Sequence, residues 1–176
     1  VLIGDTQYDI KTTTELDLSG KGIRSGRLND IGKLTELTKL NLSDNEITDL
    51  DFLTPLTKLV SLDLSNNQIT DISPLSGLTS LHTLHLDNNA IKDFSPLYRL
   101  NGLTMLTISG IEVSQNQIKD LKTRLPGCLI YNDEASTDIV EITLGGKTFK
   151  SDVTKLDLSD CSITDVRQLS VWKGLE

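Results

Sequence analysis

"LTKLNLSDNEITDLDFLTPLTK" occupies residues 37–58, and the chain then says nearly the same thing twice more. "LVSLDLSNNQITDISPLSGLTS" fills 59–80 and "LHTLHLDNNAIKDFSPLYRLNG" fills 81–102, with a shorter copy, "LTMLTISGIEV", from Leu103. The starts at Leu37, Leu59, Leu81 and Leu103 set a period of 22 residues. Leu40 and Leu42 alternate with the polar Lys39, Asn41 and Ser43. That two-residue period is the signature of a strand with one face buried. A period of this length means that each copy is one coil of a solenoid, stacked on its neighbours to build a shared core.

The remaining positions of the coil follow from the same logic. Asn45, Asn67 and Asn89 recur where each strand turns inward. A buried amide there can satisfy backbone groups that the turn leaves unpaired, so these three are read as a structural ladder. Asn66, beside Asn67 but outside the ladder, is expected to accept alanine within about 0.5 kcal/mol. Ile47, Leu50, Leu53 and Leu56 fill the interior, and "DISPL" and "DFSPL" return the chain in short turns because Pro74 and Pro96 disfavour a long helix. The shared wording, Leu-x-x-Leu-x-Leu-x-x-Asn-x-Ile, is the leucine-rich-repeat pattern. The fold expected is an α/β solenoid. It is a right-handed leucine-rich-repeat superhelix with a parallel β-sheet on its concave face, and short turns, 3-10 segments and one helix on its convex face.

Working outward, the pattern bends. The copy from Leu16 carries Lys21 at the asparagine position and takes two extra residues before Leu40. In the copy from Leu103, Ile111 replaces the asparagine, and "SQNQIKDLKTRLPG" follows. Ser114 and Gln117 predict a capping box, Ile118, Leu121 and Leu125 form one apolar face, and Pro126-Gly127 ends the helix. Keeping the 22-residue step starts the next copy at Leu125 and places Cys128 and Ile130 on the two inward positions of its strand. Cys128 then takes a core leucine's place and Cys161 the asparagine's in "LDLSDCSI", so both are read as structural, reduced thiols.

The chain also begins twice. "VLIGDTQYDIKTTTELDLSG" from Val1 and "ITLGGKTFKSDVTKLDLSD" from Ile142 both put alternating apolar residues around a glycine turn, just before a Leu-Asp-Leu-Ser strand. Each is read as a β-hairpin covering the open end of a coil. Residues 1–134 are therefore expected to form one array with a hairpin cap at its N-terminus. Residues 135–176 supply the cap and first repeat of a second, truncated array. Its uncovered edge, with Leu156, Leu158 and Trp172, is expected to drive weak self-association. Opening on Val1, the chain is read as an excerpt of a longer protein.

The bulk numbers narrow the function. Hydrophobic residues make up 37% of the 176 and charged ones 24%, as in a folded soluble protein, while aromatics at 4% leave the core to leucine and isoleucine. A net charge of −8 argues against nucleic acid, which needs clustered lysine and arginine. No run approaches the length of a membrane span. There is no phosphate-binding loop, dinucleotide glycine motif or Ser–His–Asp arrangement. No catalytic, cofactor or metal residues are assigned, and the chain is read as a non-enzyme. One alternative stays open at "HTLH": His85 lies one strand from Asp63 and two residues from Asp87, within reach of an acid–base or metal pair.

The "L-x-L-S-x-N-x-I-T-D-x-S-P-L" wording resembles the internalin-type 22-residue repeats of Gram-positive surface and secreted proteins. It is also found in intracellular phosphatase-regulatory leucine-rich-repeat scaffolds. The hairpin openings and the helical "LKTRLPGCLI" ending resemble the bacterial type. That resemblance implies a non-enzymatic module, secreted or attached to the cell wall, binding a protein partner in adhesion or host interaction. A structural spacer between domains is the alternative, with the intracellular scaffold beside it. Binding is expected on the concave face. Its central column reads Asp17, Asn41, Asp63, His85, Thr107 and Leu129, the column before it ends at Met105 and Gly127, and the column after it runs through Asp87 and Ser109 to Tyr131. The candidate face is Asp63, His85, Asp87, Met105, Thr107, Leu129 and Tyr131.

Overall fold

Among the described residues, a short strand forms at each Leu-x-Leu pair of the repeats: Leu16 and Leu18, Leu40 and Leu42, Leu62 and Leu64, and Leu84 and Leu86. The computed structural model describes residues 1–3, 6–25, 28–133, 141–144 and 147–150. The chain divides into two units, Val1–Asp133 and Glu134–Glu176. In the first, a hairpin of β1 (Leu2–Ile3) and β2 (Thr6–Gln7) precedes six strands: β3 (Glu15–Asp17), β4 (Lys39–Asn41), β5 (Ser61–Asp63), β6 (Thr83–His85), β7 (Met105–Thr107) and β8 (Leu129–Tyr131). These six form one parallel sheet in sequence order. A parallel neighbour needs a crossover, and each coil supplies one. It is a 3-10 segment at Ile31–Lys33, Asp51–Leu53, Ser73–Gly77 and Ser95–Arg99, and a true helix, α1 (Gln115–Arg124), before β8.

The reason for the difference is local. Pro74 and Pro96 sit in the first turn of their segments, and those segments stop within five residues. In α1 the Ser114 side chain accepts from the Gln117 backbone while the Gln117 side chain accepts from the Ser114 N–H. That reciprocal cap starts a helix whose buried face is Ile118 and Leu121, with Leu125 buried at its end. Every inward leucine of β4 to β7 is at most 2% exposed, so the solenoid's interior is a continuous aliphatic column.

The asparagine ladder is present in full. Asn67 donates to the Leu42, Leu64 and Ser65 carbonyls at 3.0, 3.0 and 3.2 Å and accepts from the Ile47 N–H at 3.0 Å. Asn45 and Asn89 repeat the arrangement one coil to either side. A second column lies beside it. Gly20, Asp44, Asn66, Asn88 and Gly110 all have left-handed backbones, with φ between 53° and 72°. Asn66 donates to Asp44 at 2.9 Å and Asn88 to Asn66 at 2.7 Å. That backbone argues against replacing Asn66 at little cost, because alanine at φ 55° is strained.

One register also differs from expectation. Met105 pairs with Leu129, Leu106 with Ile130 and Thr107 with Tyr131, a step of 24 rather than 22. Leu129 thus belongs beside Met105, not in the column of His85, and Tyr131 belongs beside Thr107, not beyond Ser109. Cys128 falls just outside the strand, half-buried, instead of at a core leucine position. Ten helical residues cover the convex side where a 3-10 turn served before, and the two extra residues are absorbed there. The first coil shows the same step of 24, from Leu16 to Leu40.

In the second unit, β9 (Glu141–Leu144) and β10 (Lys147–Lys150) pair antiparallel, with Leu144 opposite Lys147. Cys161 and the edge residues Leu156, Leu158 and Trp172 lie outside the described residues.

Candidate functional site

The corrected register defines the concave face. One outward column is Glu15, Lys39, Ser61, Thr83, Met105 and Leu129, and the next is Asp17, Asn41, Asp63, His85, Thr107 and Tyr131. Side chains in a column stand on strands about 4.8 Å apart, so each has its predecessor and successor as neighbours. The two columns change character together along the solenoid.

At the first strands the face is charged. Glu15 and Lys39 pair at 2.8 Å, and both are more than 60% exposed, so the pair contributes at most about 1 kcal/mol. The Ser19 backbone N–H, followed by its hydroxyl, holds the Asp17 carboxyl below the usual carboxylate range, with Lys21 assisting. Asn41 and Asp63 accept from the Ser43 and Ser65 N–H groups, closing the same small turn in the next two coils. An open trough of about 500 Å³ runs over these strands, from Glu15 and Asp17 to Asp63 and His85.

At the middle strands the structure joins His85 to Thr107 and Asp87. His85 Nδ1 lies 3.0 Å from Thr107 Oγ1, and the Thr107 hydroxyl donates to Asp87 Oδ2. A hydroxyl has one hydrogen, so the Nδ1 must be the donor to Thr107. Asp87 Oδ1 takes the Ser109 N–H at 2.7 Å, and Ser65 Oγ reaches Oδ2 at 3.4 Å. The Asp87 carboxylate is therefore engaged by Thr107, Ser109 and Ser65. Among the described residues there is no group of three or more His, Cys, Asp or Glu that could hold a metal ion. His85 is oriented through Thr107, while its strand neighbour Asp63 faces the trough with its Oδ1 taken by Ser65.

At the last strands the face turns apolar. Leu129 is 61% exposed beside the half-buried Met105, and Tyr131 is half-buried beside Thr107. The candidate residues Asp63, His85, Asp87, Met105, Thr107, Leu129 and Tyr131 thus lie on adjacent strands or at their ends. The sequence reading missed the left-handed column at their flank. Its signal was legible: Gly, Asp or Asn, the residue types that tolerate positive φ, stands immediately before every asparagine-ladder position.

Cys128 stands apart from this face chemically. Burial raises its thiol to about 11, so at neutral pH it is protonated and unreactive. Among the described residues no helix is long and apolar enough to cross a membrane.

Comparison with known proteins agrees with the geometry. Residues 57–99 match the model for Leucine Rich repeats in two copies, and residues 33–51 and 150–166 match a single Leucine Rich repeat. Internalin C2 from Listeria monocytogenes is 35% identical over 70% of this chain and 55% of its own, with a TM-score of 0.59. Internalin F from the same organism is 30% identical over 70% of this chain and 43% of its own, with a TM-score of 0.56. The chain therefore spans about half the length of the internalins it matches. A TDR receptor, 24% identical over 69% of this chain and 22% of its own with a TM-score of 0.56, shares the fold. No curated protein sequence matches.

Proposed function

We propose that this chain, a leucine-rich-repeat protein of the internalin type, is a non-enzymatic module that binds a protein partner on its concave face. The observation that carries the reading is the change of surface along one sheet. A polar, hydrogen-bonded face ends in Met105, Leu129 and Tyr131, and Leu129 is 61% exposed. Exposed large apolar side chains next to an aromatic are the residue types from which binding hot spots are made. Solenoids present such extended concave surfaces because each coil rotates slightly against the last. The likeness to internalins supports a bacterial, secreted or wall-attached setting, with adhesion or host interaction as the role. On the same reading, Val1–Asp133 is one array with its hairpin cap. Glu134–Glu176 is the cap and opening repeat of another, which the repeat match at 150–166 supports.

The spacer alternative predicts a concave face indifferent to mutation. Capture of a protein partner should fall about tenfold or more with Leu129→Ser or Tyr131→Ala. It should survive Tyr98→Phe, on the return segment Ser95–Arg99. A partner held equally by all four proteins would overturn the concave reading.

A further inference from the structure

The concave face carries two different chemistries side by side, and together they describe what lies on it. Asp63 borders the open trough, and Oδ1 of its carboxylate is taken by the Ser65 N–H. Asp17, at the trough's far end, accepts the Ser19 N–H at 2.9 Å, which holds its carboxyl below the usual carboxylate range. The ammonium of Lys39, on the strand between them, is already paired with Glu15. The trough therefore presents net negative charge. Further along the same face, on β7 and β8, stands the Met105–Leu129 pair.

Resting on the concave reading above, we infer that the partner contributes an extended segment with a lysine or arginine four residues from a large apolar side chain, the cation over Asp63 and the apolar group on Met105 and Leu129. The spacing comes from the sheet. Asp63 stands on β5 and the Met105–Leu129 pair on β7 and β8, about two and a half strand steps away, roughly 12 Å at about 4.8 Å per step. The pair is also one column over, two residues or roughly 7 Å along the strand, so the diagonal is roughly 14 Å. A segment crossing the strands in extended form advances about 3.4 Å per residue and covers that distance in about four residues. Residues i and i+4 of an extended chain point to the same side, so both anchors face the sheet at once. An i+3 spacing would turn one of them to solvent.

The test uses the full chain and fluorescein-labelled ten-residue peptides in a serine–alanine background, read by fluorescence polarisation. One peptide carries Lys and Leu at i and i+4, one carries them at i and i+3, and one carries Glu and Leu at i and i+4. The first should bind best, weaken about fivefold with Asp63→Asn, and weaken tenfold or more with Leu129→Ser. Raising the salt should weaken it further. Equal or tighter binding of the glutamate peptide, still lost in Leu129→Ser, would overturn the cationic partner and leave the concave reading standing. Binding by the i+3 peptide as tight as by the first would overturn the extended crossing. No binding by any peptide at millimolar concentration would overturn the inference, while the capture experiment with Leu129→Ser and Tyr131→Ala judges the concave reading separately.

Discussion

Replacing Asn67 with alanine isolates what the buried amide does. Four hydrogen bonds vanish, but they are not equal. The Leu42 carbonyl keeps the Asn45 amide at 2.9 Å, the Leu64 carbonyl keeps the Asn89 amide at 2.9 Å, and the Ser65 carbonyl keeps the Asp44 N–H at 3.0 Å. The Ile47 N–H, by contrast, donates to Asn67 Oδ1 at 3.0 Å, and Ile47 is fully buried. One stranded donor costs about 1–3 kcal/mol, and three weakened acceptors place the expected loss in the upper part of that range. With a urea slope of about 1–3 kcal/mol/M, the midpoint should fall by about 1 M. Two companions calibrate the result. Asn66→Ala should cost about 1 kcal/mol, from its φ of 55° and two lost side-chain bonds. Asn66→Gly should cost less than Asn66→Ala, because glycine accepts that backbone freely. Urea midpoints in the order wild type, Asn66→Gly, Asn66→Ala, Asn67→Ala are expected. Asn67→Ala matching Asn66→Gly would refute the idea that one stranded N–H sets the cost.

Gly110→Ala should lose about 1–3 kcal/mol, because its φ is 72° and a Cβ there would run into Asn88 Oδ1; adding Asn88→Gly should recover part of the loss in the same urea titration, and a fully additive double mutant would contradict the clash. Gly32→Ala should destabilise by a similar amount for another reason, since its Cβ would lie 2.7 Å from the Phe52 carbonyl oxygen of the next coil; a thermal melt unchanged from wild type would count against that close approach. In a Cys161→Ser background, Cys128 should react with iodoacetamide at pH 8 at roughly a thousandth of its full thiolate rate, rising as pH climbs towards about 11; a plateau already reached at pH 8 would contradict the burial of the thiol.

Much of this protein is legible without coordinates, because a repeat reports its own geometry many times over. The Leu-x-Leu alternation sets which face of each strand is buried, the recurring Asn45, Asn67 and Asn89 mark the inward turn, and Ser114 with Gln117 announces α1. Each of these depends on side chains a few residues apart, so local chemistry determines them. Alignment between coils is another matter. It depends on the path that the return segment takes, and ten helical residues before β8 shift the step from 22 to 24 without changing the local pattern. That shift puts Leu129 beside Met105 and Tyr131 beside Thr107, and so draws the apolar end of the concave face. The partner of His85 was open in the same way: Asp63 and Thr107 are both one strand away, and tertiary packing turned the ring to Thr107, whose hydroxyl is committed to Asp87. Sequence determined the coil and its buried amides; only the stacking of coils decided which side chains meet across strands, because that contact is made between residues more than twenty positions apart.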